Sequence, residues 1–385
     1  MRIRLPISTG TLEYELNPAG PLKTPPGPPP KSRIVYAASH IVADPASLTG
    51  AGEGSLDVEA TLAFRHHLWS LGFSVAEAMD TAQRGMGLTW EVAKELIRRS
   101  CAEAQAVGGG IACGANTDQL VPTENATLEE IAAAYEEQCD WIQHAGGQVI
   151  LMASRALAKA AKTPDDYHRV YGRLLSQLAR PAIIHWLGEA FDPALKSYWG
   201  GANIADSMSV LLAFIREHSE KVDGVKLSLL DKQQEIEMRR RLPPGVRMYT
   251  GDDFNYPELI RGDELGYSDA LLGIFDGIAP AAALALRALD AGDIAHYEVL
   301  LAPTLPLSRH IFAAPTFHYK TGLTFLAYLN GHQNHFRMLN HQERERSVVH
   351  LSELFILADR ARLLANPELA VERMRTYLAT ENVHA

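Results

Sequence analysis

The sequence is poor in cysteine, lacks an excess of positive charge and contains no long hydrophobic run. Its three cysteines, Cys101, Cys113 and Cys139, have neither the number nor the spacing of a disulfide framework or a metal motif, which indicates reduced thiols. The formal net charge of -10 disfavours a nucleic-acid partner, because nucleic-acid binding requires a basic surface. No stretch reaches the roughly 18 apolar residues of a membrane span, and the first residues lack the apolar core of a signal peptide. We therefore expect a cytoplasmic protein with neither a membrane nor a nucleic-acid partner.

A glycine-rich phosphate loop is also missing where an open, doubly wound sheet usually carries one. The first predicted strand continues into His40-Ile41-Val42 without a glycine. Short apolar runs instead alternate with amphipathic stretches of helical period, one of which opens with the capping-box pair Thr127 and Glu130. The predicted strands are 33–39, 73–79, 110–115, 148–153, 181–186, 224–228, 247–250 and 270–274. Eight strands, each followed by a helix over about 250 residues, are typical of an α/β fold, the (β/α)8 TIM barrel.

Additional segments flank the predicted barrel on both sides. Alternating apolar and polar residues over 2–16 predict an N-terminal β-hairpin, and the proline-rich stretch 17–31 predicts a linker. After the eighth strand the helical pattern continues to the end of the sequence. Its predicted helices are 281–291, 293–312, 316–329, 342–363 and 367–378. We therefore divide the chain into a hairpin and linker (1–32), a barrel (33–292) and a layer of C-terminal helices packed on the barrel (293–385).

Lys226 is the first candidate for chemistry, because active sites in such barrels lie at the C-terminal ends of the strands. It stands between Val225 and Leu227 in a strand predicted to be buried, and lysine is rarely buried without a reason. A strand-end lysine that extends to the barrel rim is the alternative. A nucleophilic lysine must lose its proton, and an unperturbed pKa near 10.4 leaves roughly one molecule in 2,500 neutral at pH 7. Burial lowers this pKa, so we predict Lys226 as a covalent Schiff-base lysine.

Other candidates follow neighbouring strands. His185 and Trp186 end the fifth strand, where a histidine is either a proton shuttle or a hydrogen-bonded core residue. Thr81 follows the second strand, and its hydroxyl either relays a proton or belongs to a turn. Asp252 and Asp253 follow the seventh strand, where they either contact a substrate or metal or form a turn and helix cap.

The histidine pair His332 and His335 has a spacing that invites a metal-site interpretation. No carboxylate or third ligand completes a recognised zinc signature around it. We therefore predict no metal there.

The second half of the sequence resembles the dihydrodipicolinate synthase and N-acetylneuraminate lyase superfamily. The resemblance is carried by Gly224-Val225-Lys226, by Gly251-Asp252-Asp253 and by the segment from Gly266 through Gly273 to Pro280, and extends in weaker form over about residues 33–330. It implies a class I aldolase-type barrel that acts on 2-oxo acids through an imine on the strand-six lysine, with no cofactor beyond that imine. It also implies a homo-oligomer.

The sequence departs from that superfamily around the pocket for the pyruvate carboxylate. Ala82 replaces the second threonine of the family's loop after strand two, and His185 replaces the strand-five tyrosine. The family's arginine after strand five is missing, and Glu189 stands nearby. Ser154 or Arg155 takes the place of the tyrosine after strand four. The imine lysine is thus kept in an altered pocket.

We therefore expect a Schiff-base-forming lyase, an aldolase or dehydratase, whose partner is a small-molecule oxo substrate, either an oxo acid or a sugar-derived ketone. The expected catalytic residues are Lys226, His185 and Thr81. The expected substrate-binding residues are Trp186, Glu189, Asp252, Asp253, Arg155 and Gly273. One alternative is a metal-dependent barrel isomerase or aldolase that uses His185 and the two aspartates as ligands, and another is a non-catalytic barrel that binds a metabolite.

Overall fold

The computed structural model describes residues 1–48, 54–120 and 125–381. Within them, the strands are β1 Arg2–Ile7, β2 Gly10–Glu15, β3 Val35–Ala38, β4 Ser74–Glu77, β5 Ile111–Ala115, β6 Gln148–Leu151, β7 Ala182–Leu187, β8 Val222–Ser228, β9 Arg247–Thr250 and β10 Asp269–Leu272. The α-helices are α1 Val58–Ser70, α2 Trp90–Val107, α3 Leu128–His144, α4 Arg155–Ala160, α5 Pro164–Gln177, α6 Ile204–Glu217, α7 Lys232–Arg241, α8 Tyr256–Arg261, α9 Ile274–Asp290, α10 Ile294–Leu301, α11 Thr304–Ile311, α12 Tyr319–Leu329, α13 Val348–Arg360 and α14 Pro367–Thr380.

The eight strands β3 to β10 are parallel and close into a barrel in the order β10-β3-β4-β5-β6-β7-β8-β9. Helices separate consecutive strands along the chain, so the predicted (β/α)8 TIM barrel is confirmed. Each predicted strand is present, with ends that differ from the prediction by no more than two residues. The predicted capping box of Thr127 and Glu130 opens α3. The barrel interior is packed with apolar side chains from successive strands, among them Tyr36, Ala76 and Ile183.

The structure contains two compact units, and the chain passes between them more than once. The barrel unit consists of Arg33–Ser39 and Ser74–Leu272. The second unit consists of Met1–Ser32, His40–Phe73 and Gly273–Ala385. The boundary of the predicted barrel domain, 33–292, stays a prediction.

The second unit contains the predicted hairpin, in which β1 and β2 pair antiparallel. The hairpin docks on α13. The Tyr14 hydroxyl donates to Asp359 at 2.7 Å, and the backbone N–H of Ser8 donates to Glu353 at 2.9 Å. Ile3 and Leu5 on β1 are buried, which supplies apolar contact beneath these hydrogen bonds.

Three C-terminal helix predictions were wrong in their extent. The helix predicted at 281–291 begins at Ile274 as α9, so that Pro280 lies inside it. The predicted helix 293–312 is divided into α10 and α11 at Pro303, which has no N–H to donate to the preceding turn. The predicted helix 342–363 begins only at Val348 behind the cap of Ser347, because Asn340 and His341 have positive φ angles of 54° and 51°. Among the described residues, no helix is long and apolar enough to span a membrane.

Candidate active site

Lys226 lies inside the barrel, near the C-terminal end of β8. Side chains alternate along a strand, so Lys226 shares its face with Gly224 and Ser228. A Cβ built on Gly224 would lie 2.6 Å from the Tyr249 ring, which belongs to the interior cluster, so this face points into the barrel. Lys226 is only 7% exposed. Burial lowers the pKa of its amine, an effect that the negative charges of Asp80 and Asp253 partly oppose. The structure thus places a lysine with a depressed pKa at the end where barrel chemistry occurs.

His185 is the direct neighbour of Lys226 on the adjacent strand β7, where the two residues are register partners. Its Nε2 atom lies 3.1 Å from the Ser228 hydroxyl oxygen, and its Nδ1 atom lies 3.9 Å from a carboxylate oxygen of Asp80. Burial, reinforced by the charge of Lys226, holds the pKa of His185 well below its usual value. The imidazole is therefore neutral at pH 7, and it lies between a serine hydroxyl at hydrogen-bond distance and a carboxylate 3.9 Å away.

Ser228 and Asp80 are the two members of this group that sequence analysis did not select. Ser228 stands two residues after Lys226, so the period of the strand alone puts both side chains on one face. Asp80 opens a short 3-10 turn after β4, and only the barrel closure brings it to His185. Alternation in the sequence could have identified Ser228, whereas nothing in the sequence identifies Asp80.

Gly251 provides room for the lysine side chain. A Cβ built on this residue would lie 2.2 Å from the Ser228 hydroxyl oxygen, 2.8 Å from the Leu227 carbonyl oxygen and 3.1 Å from the Lys226 Cε atom. The glycine predicted to follow strand seven is therefore required by the packing of the site.

A cavity of about 200 Å³ opens beyond His185 at the C-terminal ends of the strands. Asp80 forms part of its wall, and so does Leu187, which lies two residues beyond His185 on the same face of β7. Other lining residues are Arg84, Asn116, Thr117, Asp118, Ala153, Arg155 and Asp192. Asp80 links this cavity to the lysine and histidine, because its carboxylate lies 3.9 Å from His185 Nδ1 and its charge acts on Lys226.

The remaining predicted site residues are only partly brought together. Thr81 is buried in the turn beside Asp80, and Asp253 is buried and acts electrostatically on Lys226. Asp252 forms a turn, because its carboxylate accepts the N–H groups of Phe254 and Asn255 at 2.8 and 3.1 Å.

The three other predicted substrate contacts, Trp186, Glu189 and Gly273, stay predictions. Trp186 faces the opposite side of β7 from His185, and Glu189 is exposed to solvent. Gly273 belongs to the second compact unit, where it precedes α9 with an ordinary φ of -67°.

The described residues contain no group of three or more His, Cys, Asp or Glu side chains placed to hold a metal ion. The metal-dependent alternative requires His185, Asp252 and Asp253 as ligands. These three do not form a group placed to hold a metal ion, and the Asp252 carboxylate accepts hydrogen bonds from its own turn. His332 instead packs against aromatic rings, with centroid distances of 4.9 Å to Phe64 and 4.6 Å to His67.

Fold and site together define a class of protein: a (β/α)8 barrel with a buried lysine and a neutral histidine at the C-terminal ends of its strands. Within that class, the chain belongs to the DUF993 family, because the model described as "Protein of unknown function (DUF993)" matches residues 3–383. No curated protein matches the sequence.

The barrel is similar to solved structures of the dihydrodipicolinate synthase family, which confirms the resemblance at the level of fold. YagE, a prophage protein of that family from Escherichia coli K12 determined in complex with pyruvate, is 13% identical with a TM-score of 0.64, over 91% of this chain and 99% of that one. The 4-hydroxy-tetrahydrodipicolinate synthase of Methylacidiphilum fumariolicum SolV is 13% identical with a TM-score of 0.65, over 89% and 99%. Dihydrodipicolinate synthase of Aquifex aeolicus is 12% identical with a TM-score of 0.60, over 91% and 98%.

Proposed function

We propose that the protein is a Schiff-base-forming lyase, an aldolase or dehydratase, in which Lys226 is the covalent amine. The observation that carries the proposal is the placement of Lys226: buried in the barrel, depressed in pKa and adjacent to a neutral histidine. The similarity to dihydrodipicolinate synthase family structures, one of them in complex with pyruvate, supports a ketone as the partner of the amine.

In this proposal the neutral Nζ atom adds to the ketone carbon of the substrate, and the carbonyl oxygen takes up a proton to give a carbinolamine. Loss of the hydroxyl group with a proton releases water and leaves a protonated imine. In an aldol cleavage, a C–C bond then breaks, its electron pair moves into the imine to form an enamine, and the enamine carbon takes up a proton. In a dehydration, loss of the α-proton forms the enamine, whose electrons expel the protonated β-hydroxyl group as water and leave an unsaturated imine. Hydrolysis returns the free lysine and the product ketone.

His185 and Ser228 are the proposed route for the protons. The Ser228 hydroxyl lies on the same face as Lys226 and is within hydrogen-bonding distance of His185 Nε2. A neutral imidazole both accepts and donates a proton, which suits carbinolamine formation and breakdown. Asp80, 3.9 Å from Nδ1, would stabilise the imidazolium that forms transiently.

The test is borohydride trapping. Incubating the protein with a panel of 2-oxo acids and keto-sugars, reducing the imine and mapping the adduct by mass spectrometry should locate it on Lys226. Lys226→Ala should abolish the adduct, and Lys226→Arg should do the same while keeping a positive charge in the barrel. If no ketone in a broad panel modifies Lys226 and Lys226→Ala still binds ligand normally, the protein is the non-catalytic barrel instead.

A further inference from the structure

We infer that the substrate carries hydroxyl groups rather than a carboxylate next to its ketone, so that the protein accepts polyhydroxy ketones in preference to 2-oxo acids. This inference rests on the proposed Schiff-base function. In a 2-oxo acid the carboxylate is bonded directly to the carbon that Lys226 attacks. It must therefore lie in the space around Nζ, and the charges of that space decide whether it is accepted.

Of the two arginines that line the cavity, Arg84 already has its guanidinium group engaged in hydrogen bonds to the protein. Arg84 makes five hydrogen bonds: two to the Asp118 carboxylate, one to the Gln138 side chain and one each to the carbonyl oxygens of Ala78 and Gly114. Its side chain is buried completely, so a substrate carboxylate would have to replace an existing partner. Arg84 is therefore a structural residue of the cavity wall.

The second arginine is neutralised by an aspartate. Arg155 Nε donates to the Asp192 carboxylate at 2.5 Å, although half of the arginine side chain is exposed. The other Asp192 oxygen accepts the N–H of Ala194 at 3.0 Å, which holds the carboxylate in place. Arg155 was predicted to bind the substrate, and here it already has an anionic partner.

Two negative side chains act on the lysine. Asp80 and Asp253 are the two groups whose charges act on Lys226, and Asp80 also lines the cavity. In the turn after β4, two backbone N–H groups already donate hydrogen bonds inside the turn. The N–H of Ala82 donates to the Met79 carbonyl oxygen, and the N–H of Gln83 donates to the Asp80 carbonyl oxygen. A carboxylate in this space meets repulsion, whereas a hydroxyl group finds an acceptor.

The other polar groups of the cavity suit hydroxyl groups in the same way. Asn116 contributes an amide side chain, and Thr117 contributes a hydroxyl that lies 2.6 Å from the Ser154 hydroxyl. Neutral donors and acceptors of this kind recognise polyols without requiring a charge.

The experiment compares two matched pairs of ketones, each pair differing only in whether C1 is a hydroxymethyl group or a carboxylate. The pairs are hydroxyacetone with pyruvate and D-fructose with 2-keto-D-gluconate. Borohydride trapping on the full-length protein is followed by mass spectrometry of the Lys226 peptide, and each yield is divided by that of free Nα-acetyl-lysine with the same ketone. We expect at least a tenfold preference for the hydroxymethyl member in a pair that reacts.

Two variants test the charge argument itself. Asp192→Asn keeps the acceptor for Ala194 but frees Arg155 from its counter-charge, so the trapping ratio of pyruvate to hydroxyacetone should rise about tenfold. Adding Arg155→Gln should cancel that rise. Asp165→Asn removes the same charge from an exposed position and should leave the ratio at its wild-type value.

The outcomes separate this inference from the function on which it rests. Equal or greater trapping of the carboxylate members on Lys226 overturns the substrate inference and leaves the Schiff-base proposal standing. The substrate inference is likewise overturned, and the Schiff-base proposal left standing, if Asp192→Asn does not change the trapping ratio of pyruvate to hydroxyacetone. Absence of any adduct on Lys226 with all four ketones overturns both.

Discussion

Lys226 has an energetic consequence for folding as well as for chemistry. Its folded-state pKa is depressed by burial, so between that pKa and its ordinary value of 10.5 the unfolded chain binds the extra proton. The free energy of unfolding therefore increases with pH through that window. Below the window, the full cost of burying the charged amine is present.

Replacing this lysine by an isosteric apolar residue should accordingly stabilise the protein. We expect Lys226→Met to raise the Tm by at least about 2 °C at pH 7, with the gain shrinking as the pH approaches 10.5. Scanning fluorimetry across this pH range measures the effect. Lys232→Met, which removes a partly exposed lysine, is the control. A gain that grows with pH would contradict the assignment of a depressed pKa.

Gly251 offers a second test at the level of a single residue. Gly251→Ala would place a methyl group against the Ser228 hydroxyl and the Leu227 carbonyl, so the strand end must shift. We expect a loss of about 1–3 kcal/mol in stability and a fall of more than tenfold in adduct formation at Lys226. Gly172→Ala, in α5 with its nearest contact at 3.4 Å, should leave adduct formation unchanged. Normal trapping in Gly251→Ala would show that the site tolerates the displacement.

At the scale of secondary structure elements, Glu235 connects α7 with two barrel segments. It accepts hydrogen bonds from Thr250 at 2.9 Å and Ser268 at 2.7 Å, and burial raises its pKa to about 8. A carboxyl whose folded-state pKa lies above its unfolded value of 4.5 stabilises the fold fully below pH 4.5. That contribution is lost as the pH rises towards 8.

Glu235→Gln should remove this pH dependence while keeping the shape of the side chain. The Tm of the variant relative to wild type should rise by several degrees between pH 5 and pH 8, as the wild-type contribution disappears. Glu237→Gln, two positions along the same helix and half exposed, should show a flat difference over that range. A flat difference for Glu235→Gln as well would mean that the glutamate is ionised in the folded protein.

The elements were also the part of the structure that the sequence predicted best. Barrel strands and their helices follow from hydrophobic period and caps, which are local signals. Two helix errors arose where a local exception interrupted a good pattern, at Pro303 and at the left-handed pair Asn340 and His341. In the third, α9 continues through Pro280, where the sequence predicted the start of a helix.

Site residues followed a different rule. Lys226 and His185 could be predicted because their own strands carry them to the active end of the barrel. Asp80 could not, because only closure of the barrel sets its distance from His185. Trp186 follows His185 directly, so the alternation of the strand puts the two side chains on opposite faces of β7.

At the scale of the whole molecule, the division of the chain limits how it can be shortened. The predicted barrel domain 33–292 contains α1 and α9, yet both belong to the second unit together with residues 1–32 and the C-terminal helices. A Cβ on Gly277 of α9 would lie 3.0 Å from Leu323 of α12, which shows how closely these helices pack.

A fragment of residues 33–292 should therefore fail to fold as an independent domain. We expect it to bind the dye ANS and to lose the cooperative thermal transition of the full chain, because the apolar faces of α1 and α9 would be uncovered. Circular dichroism melts of the fragment and the full chain measure this difference. A cooperative, trapping-competent fragment would establish 33–292 as a true domain.

The docking of the hairpin on α13 also determines when the molecule can be completed during synthesis. The Tyr14–Asp359 hydrogen bond joins residues 345 positions apart. At about 5–20 residues per second, the ribosome needs roughly 20–70 s to deliver the second partner after the first. Throughout that interval Ile3 and Leu5, buried in the finished protein, lack the helix that covers them. The nascent chain thus exposes an apolar strand, which favours aggregation, until α13 has been synthesised.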